Sequence, residues 1–184
     1  ISFDIIAKED SIPDTYVGKI IISNEITSKE LLVTVDISSK KSLFDVKIAI
    51  PKNFQIINQG NDLIASISIY SLGREGKVDA TVRYFIKNEE DDIILSDEET
   101  VAIETKLDLL KTIHIDEKIK PGVYILYVKT LYEGQVAIAS STFTVSSSES
   151  LKIIDLLRTA LVFLIIISAL LIISLAYKFI QYCL

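Results

Sequence analysis

The sequence has little of the material from which catalytic and metal sites are built. Its 184 residues include one histidine, His114, and one cysteine, Cys183, with no methionine or tryptophan. A catalytic nucleophile needs a neighbouring base, and a transition-metal site needs several His or Cys ligands. His114 stands in an alternating β-type run, far along the chain from Cys183. The sequence therefore predicts no enzyme, no cofactor and no disulfide framework.

Basic residues are outnumbered by acidic ones before the C-terminal region. Residues 1–150 carry 16 Lys and Arg against 24 Asp and Glu, so their formal charge is −8. Nucleic-acid binding depends on basic residues that neutralise phosphates, so this balance predicts no nucleic-acid partner. No Asn-x-Ser/Thr sequence occurs, and N-glycosylation is not expected.

The chain is rich in short alternating runs that contain β-branched and aromatic residues. Such runs predict strands, and turn-rich or charged segments such as LGREGK and NEEDD separate them. They lie at 31–37, 46–50, 63–70, 78–86, 93–95, 100–104, 107–115, 123–132 and 135–145. No run before residue 150 has a sustained helical period, which a parallel sheet with crossover helices would need. The predicted fold class is all-β, an immunoglobulin-like antiparallel β-sandwich.

An internal repeat indicates the domain organisation. Pro13-Asp14-Thr15-Tyr16 matches Pro121-Gly122-Val123-Tyr124, 108 positions later, and Thr-Val follows at 34–35 and at 144–145. This interval is about the length of one immunoglobulin-type domain. We therefore expect residues 1–38 to be the last strands of a truncated domain and residues 43–146 to be a complete one. The polar linker SSKKS at 38–42 is expected to let the two domains tilt.

The Pro-Gly-x-Tyr sequence has a structural interpretation. Pro121 fixes φ, Gly122 permits a tight turn, and the hydroxyl of Tyr124 can bond back to the loop, as in a tyrosine corner. These three residues are predicted to be fold elements rather than binding residues.

The uncharged run 159–177, TALVFLIIISALLIISLAY, dominates the C-terminal region. At ~1.5 Å per residue, a helix of this length would match a hydrocarbon core of about 30 Å. The sequence thus predicts one C-terminal transmembrane helix after a juxtamembrane linker, 147–158, with the lipid bilayer as a partner. The predicted anchor residues are Thr159, Phe163, Tyr177 and Lys178.

Orientation does not follow from the flanking charges, because lysines or arginines lie on both sides of the run. An acidic, strand-rich bulk before a terminal anchor favours a single-pass cell-membrane protein with its bulk outside and a cytoplasmic tail, 178–184. A tail-anchored cytoplasmic protein is the alternative. Since the chain starts at Ile1 without an export leader, we expect a C-terminal fragment of a larger protein.

One acidic segment offers oxygen ligands of the kind that calcium prefers. It lies between two predicted strands, and its spacing matches no EF-hand loop. The candidate ligands are Glu89, Glu90, Asp91 and Asp92. The competing interpretation is a solvated turn that keeps sheet edges apart.

Several phrases of the sequence together resemble the tandem immunoglobulin-like modules, CARDB-like and S-layer-associated, of archaeal membrane-anchored surface proteins. They are LFDVKIAIPKNF at 43–54, LIASISIYSLGREGKVDATVRYFIKN at 63–88, ETVAIET at 99–105 and IKPGVYILYVKTLYEGQVAIASSTFTV at 119–145. Asn58-Gln59-Gly60 departs from the Pro-Gly turn that the family pattern would have. The resemblance implies stalk or adhesive duty and names no ligand.

Two functions follow as hypotheses. The first is a non-catalytic, membrane-anchored cell-surface stalk or adhesion segment that projects N-terminal domains and meets a protein or surface-glycan partner. The alternative is an accessory domain that docks an envelope complex or a secreted enzyme.

Overall fold

The computed structural model describes residues 4–73, 76–147 and 158–168, and most of them are in β-strands. One turn of 3-10 helix, Lys52–Phe54, precedes β4. In chain order the strands are β1 (Thr15–Ser23), β2 (Ser28–Asp36), β3 (Phe44–Ala49), β4 (Ile56–Asn58), β5 (Asp62–Ser71), β6 (Val78–Lys87), β7 (Ile93–Ile103), β8 (Lys106–His114), β9 (Gly122–Tyr132) and β10 (Gln135–Ser146).

Strands β3 to β10 form two sheets that pack face to face. One has the order β4-β10-β9-β6-β7 and the other the order β3-β5-β8. Their pairings are antiparallel except that the short β4 lies parallel to β10. The sandwich is therefore mixed at this edge, where the sequence predicted only antiparallel pairs.

The core lies between these sheets, and strand alternation explains its composition. Because successive side chains point to opposite faces, every second residue of β5 and β6 is directed inward. The side chains of Leu63, Ile67, Val82 and Tyr84 are fully buried there. The alternating runs at 63–70 and 78–86 thus form β5 and β6, one strand of each sheet, and their inward side chains line the core.

The strand β7 contains two segments that the sequence analysis separated. The run at 93–95 and most of the run at 100–104 belong to one continuous strand, and the residues between them, Ser96 and the acidic 97–99, pair with β6 throughout. The predicted break was wrong because a carboxylate can occupy an edge strand when its side chain reaches solvent or a lysine.

Strands β1 and β2 form a separate two-stranded antiparallel hairpin. The described residues up to Ser146 nevertheless belong to one compact unit, and those from Ser147 onward belong to a second. The predicted flexible linker between the hairpin and the sandwich is ordered against β10. The Ser39 N–H donates to the Val136 carbonyl at 2.8 Å, and the Val136 N–H donates to Ser39 Oγ at 2.9 Å.

The predicted transmembrane helix is not supported by the structure, and this part of the fold prediction was wrong. Within residues 4–73, 76–147 and 158–168, no helix is both long and apolar enough to cross a membrane. The described helix covers residues 158–168, which at 1.5 Å per residue is about 16 Å, half of a hydrocarbon core. Thr159 and Phe163 lie on this helix with exposed side chains. The rest of the predicted span, with Tyr177 and Lys178, lies outside the described residues.

Candidate functional site

The most unusual surface of the sandwich is the part of the outer face of β6 and β9 around Tyr127, because it is buried. Outer-face residues of a two-sheet sandwich normally reach solvent. Here Ile125 and Tyr127 are at most 1% exposed, and Lys87 is 5% exposed. The rings of Phe85 and Tyr127 stack there at 4.7 Å between centroids and 12° between planes. The start of the β1–β2 hairpin contacts this face through the bonds described below.

Lys87 is the central polar residue of this contact. Its Nζ donates to the main-chain carbonyl of Thr15 at 2.7 Å and lies 2.7 Å from Asp91 Oδ1. The same ammonium stands 5.0 Å from the centroid of the Tyr127 ring. A buried ammonium is stable only when its lost hydration is replaced, and these three groups replace it. The hairpin backbone is thus held by a charge-assisted hydrogen bond.

Carboxylates at the base of the hairpin add two further contacts. Lys129 Nζ on β9 lies 3.0 Å from Asp14 Oδ1. Asp36 accepts hydrogen bonds from Thr15 Oγ1 and from Ser140 Oγ on β10, both at 2.8 Å. One carboxylate therefore ties β1, β2 and the sandwich together. We call these hairpin and sandwich residues the clamp: Asp14, Thr15 and Asp36 with Lys87, Lys129 and Ser140.

Charge and burial at the clamp shift the pKa values of its neighbours. Burial raises the pKa of the Tyr127 phenol, and the negative charges of Asp14 and Asp91 raise it further. The pKa of Lys19, farther along β1, is raised mainly by its hydrogen bond to Glu89, whose Oε2 lies 3.0 Å from the Lys19 Nζ. Tyr127 is neutral at physiological pH, as an ordinary tyrosine is, and its ring is a suitable partner for the Lys87 ammonium.

The hairpin and the strand pair β9–β10 each begin with a tyrosine corner. The hydroxyl of Tyr16 donates to the Ile12 carbonyl at 2.9 Å, and that of Tyr124 donates to the Lys120 carbonyl at 2.7 Å. Each acceptor is four residues upstream and directly precedes a proline. Pro121 and Gly122 therefore lie at the entry to β9, beside the Tyr124 corner. Burial, followed by the charges of the acidic loop, raises the pKa of the Tyr124 hydroxyl.

The acidic loop, residues 89–92, does not bring its carboxylates together. Glu89 contacts Lys19, and Asp91 contacts Lys87. Asn88 Oδ1 instead accepts the main-chain N–H groups of Glu90 and Asp92, at 3.1 and 2.8 Å. In the part of the chain that the structure describes, no group of three or more His, Cys, Asp or Glu side chains is arranged to hold a metal. Two of the four calcium candidates thus neutralise lysines.

A second polar group lies where β7 and β8 meet at the sandwich edge. Lys111 points inward from β8, with its Nζ 2.9 Å from Asp97 Oδ2, 3.1 Å from Glu99 Oε1 and 4.1 Å from the Tyr84 ring centroid. The hydrogen bond from Lys111 lowers the pKa of Asp97. The pKa of Glu99 is also lowered, first by the nearby Tyr84 hydroxyl and then by Lys111. The Tyr84 hydroxyl itself is buried and makes no hydrogen bond of standard geometry.

Neither Lys87 nor Lys111 is predicted from the sequence as a site residue. Lys111 lies at the same parity as Leu107, Leu109 and Ile113, so strand alternation alone could have placed it on the inner face. His114 lies on an exposed face, with its Nδ1 2.8 Å from Asp62 Oδ1.

Comparisons with known proteins find no matching family model and no matching curated protein. Solved structures match over part of the chain. The alkylpurine DNA glycosylase AlkC of Pseudomonas fluorescens, bound to DNA with an abasic site analog, has a TM-score of 0.45 and 15% identity over 56% of this chain and 30% of its own. A Listeria innocua beta-glucosidase in complex with isofagomine has a TM-score of 0.42 and 14% identity over 63% and 17%.

The CARDB domain of a Pyrococcus furiosus protein, in complex with di-metal ions, has a TM-score of 0.40 and 15% identity over 55% of this chain and 91% of its own. The structural neighbours thus include a CARDB domain from an archaeon and parts of a bacterial glycosylase and a bacterial beta-glucosidase.

Proposed function

We propose that this chain is a non-catalytic segment of a cell-surface stalk or adhesion protein, in which consecutive β-sandwich modules are held at a fixed angle. The observation that carries this proposal is the clamp. A hairpin with the features of a final strand pair is bound to the outer face of the next sandwich by the Lys87–Thr15 hydrogen bond and by carboxylate contacts. A spacer needs such a joint because a flexible one would not set direction.

The linker supports the same function. Ser38 and Ser39 hydrogen-bond to β10, with the Ile138 N–H donating to Ser38 Oγ at 3.1 Å. The chain therefore leaves the hairpin along the sandwich instead of through solvent. Because these hydrogen bonds fix the linker, it lacks the conformational freedom of an unbound linker. The hairpin therefore keeps one orientation relative to the sandwich.

The fixed angle can be tested by measuring distances between two spin labels. In a Cys183→Ser background, labels would be attached at Ile26→Cys, on the exposed loop between β1 and β2, and at Leu110→Cys, on the exposed side of β8. Pulsed dipolar spectroscopy should give one narrow distance distribution, and Lys87→Met should broaden it. Arg83→Met is the matched control, because Arg83 lies on the same outer face of β6 but pairs with Glu98. A broad distribution in the parent protein would contradict the proposal.

The location at the cell surface has its own test. Intact cells would be treated with protease, and released peptides from residues 43–146 would be identified by mass spectrometry. Release from intact cells is the expected result. Release only after lysis would place the protein inside and exclude stalk or adhesive duty.

A further inference from the structure

The side of the hairpin that faces away from the clamp is an apolar surface. Strand alternation places one set of side chains of β1 and β2 on this side, and we call it the open face. Tyr16 and Leu31 are each 41% exposed, and Ile22 is 56% exposed. The open face consists of Tyr16, Gly18, Ile20 and Ile22 from β1 and Leu31, Val33 and Val35 from β2, with Lys29 opposite Ile22 at its end.

The register of the hairpin identifies its counterpart in the sandwich. Tyr16 pairs with Val35, and Tyr124 pairs with Phe143, so both strands are displaced by the same 108 residues (16 to 124 and 35 to 143). The Thr-Val sequences at 34–35 and 144–145 are 110 positions apart, so they are not equivalent in this register. Thr34 corresponds instead to Thr142. With the shared tyrosine corner, the agreement makes β1–β2 the structural equivalent of β9–β10.

The equivalent face of β9–β10 is covered. Tyr124 and Phe143 are 6% and 2% exposed, and Val128, which corresponds to Ile20, is fully buried. They pack against inward side chains of the β3-β5-β8 sheet, including Leu63 and Ile67. In β9–β10 this face is thus covered by the three-stranded sheet β3-β5-β8, whereas in the equivalent pair β1–β2 it is an exposed apolar surface.

The described chain leads onto the open face. Ile5 lines a groove of about 300 Å³ together with Tyr16, Gly18, Ile20 and Val33. A side chain on Gly18 would meet nothing within 4 Å, whereas the corresponding Leu126 is fully buried in the sandwich. The open face therefore has a recess at the position where its counterpart holds a packed leucine.

From these observations, and resting on the proposed tandem function, we infer that a second β-sheet covers the open face. This sheet belongs to the same polypeptide upstream of the described residues, has an apolar inner side like that of β3-β5-β8, and fills the recess over Gly18. Burial of the exposed isoleucine, leucine and tyrosine surface provides the driving force.

Thiol labelling tests this inference. Leu31→Cys, on the open face, would be compared in the 1–184 chain and in the complete polypeptide as the cell makes it, both with Cys183→Ser. Ile26→Cys, which is 95% exposed on the neighbouring loop, is the matched control. We expect Leu31→Cys to react at least about tenfold more slowly in the complete polypeptide at every protein concentration, and Ile26→Cys to react equally in both.

Two results would overturn the inference. Equal reactivity of Leu31→Cys in both proteins would show that no sheet covers this face. Protection in the 1–184 chain that increases with its concentration would show that a second copy covers it. The thiol-labelling result is independent of the proposed fixed angle. Spin-label distances report on the clamp, which lies on the opposite side of the hairpin from the open face.

Discussion

Replacement of Lys87 by methionine should weaken the attachment of the hairpin more than any other single change to the charges of the sandwich. Methionine keeps most of the apolar stem, so the change removes mainly the ammonium. The Thr15 carbonyl loses a charge-assisted hydrogen bond in a site where Thr15 is fully buried, which costs about 1.5–3 kcal/mol. Loss of the contact with the Tyr127 ring adds about 0.5–1 kcal/mol.

The ion pair with Asp91 contributes less, because the Asp91 side chain is 42% exposed and water can solvate it when the lysine is absent. The expected loss in the free energy of unfolding is therefore about 2–4 kcal/mol. Urea unfolding followed by circular dichroism would measure it, with Arg83→Met as the control. Arg83 is half-exposed, and its replacement should cost about 1 kcal/mol or less. Equal destabilisation by the two variants would refute the argument that Lys87 is the buried link.

Three further predictions concern the corners, the sandwich edge and the acidic loop. Tyr124→Phe should lower the free energy of unfolding by about 1 kcal/mol in urea, and Tyr16→Phe by less, because only the Tyr124 ring is buried; equal losses would contradict this. Asp97 has a lowered pKa when folded, so its stabilising effect is present above its unfolded pKa and is lost as pH falls through the folded value. Acid titration of Lys111→Met should accordingly show a shallower loss of stability below about pH 5, and an unchanged slope would count against the ion pair. Calcium or a chelator should leave the midpoint of thermal unfolding unchanged, because carboxylates of the acidic loop contact lysines, and a calcium-dependent rise would disprove this.

Much of the sandwich could be predicted from local patterns. The runs at 63–70, 78–86, 123–132 and 135–145 correspond to β5, β6, β9 and β10, because alternation of apolar side chains reflects the two faces of a strand. The apolar C-terminal run led to a wrong prediction. It predicted a transmembrane helix, whereas no helix among the described residues is long and apolar enough to cross a membrane.

The clamp could not be predicted in the same way. Lys87 ends an ordinary strand in the sequence, and nothing nearby indicates that it is buried. Its partner Asp91 lies four residues downstream in the acidic loop, but Thr15 lies 72 residues upstream, and only the packing of the hairpin on the sandwich brings Thr15 to Lys87. The linker SSKKS is likewise typical of a flexible joint, yet its serines find acceptors and donors on β10.

The sequence by itself determined most strands of the sandwich and the tyrosine corner at Tyr124, since each depends on neighbours within a few positions, and it contained the 108-residue repeat that relates Tyr16 to Tyr124. Tertiary structure alone decided which faces are buried. Burial depends on the element that packs against a face, and that element comes from elsewhere in the chain. The same strand pair is therefore enclosed at β9–β10 and exposed at β1–β2, although their corners and register agree.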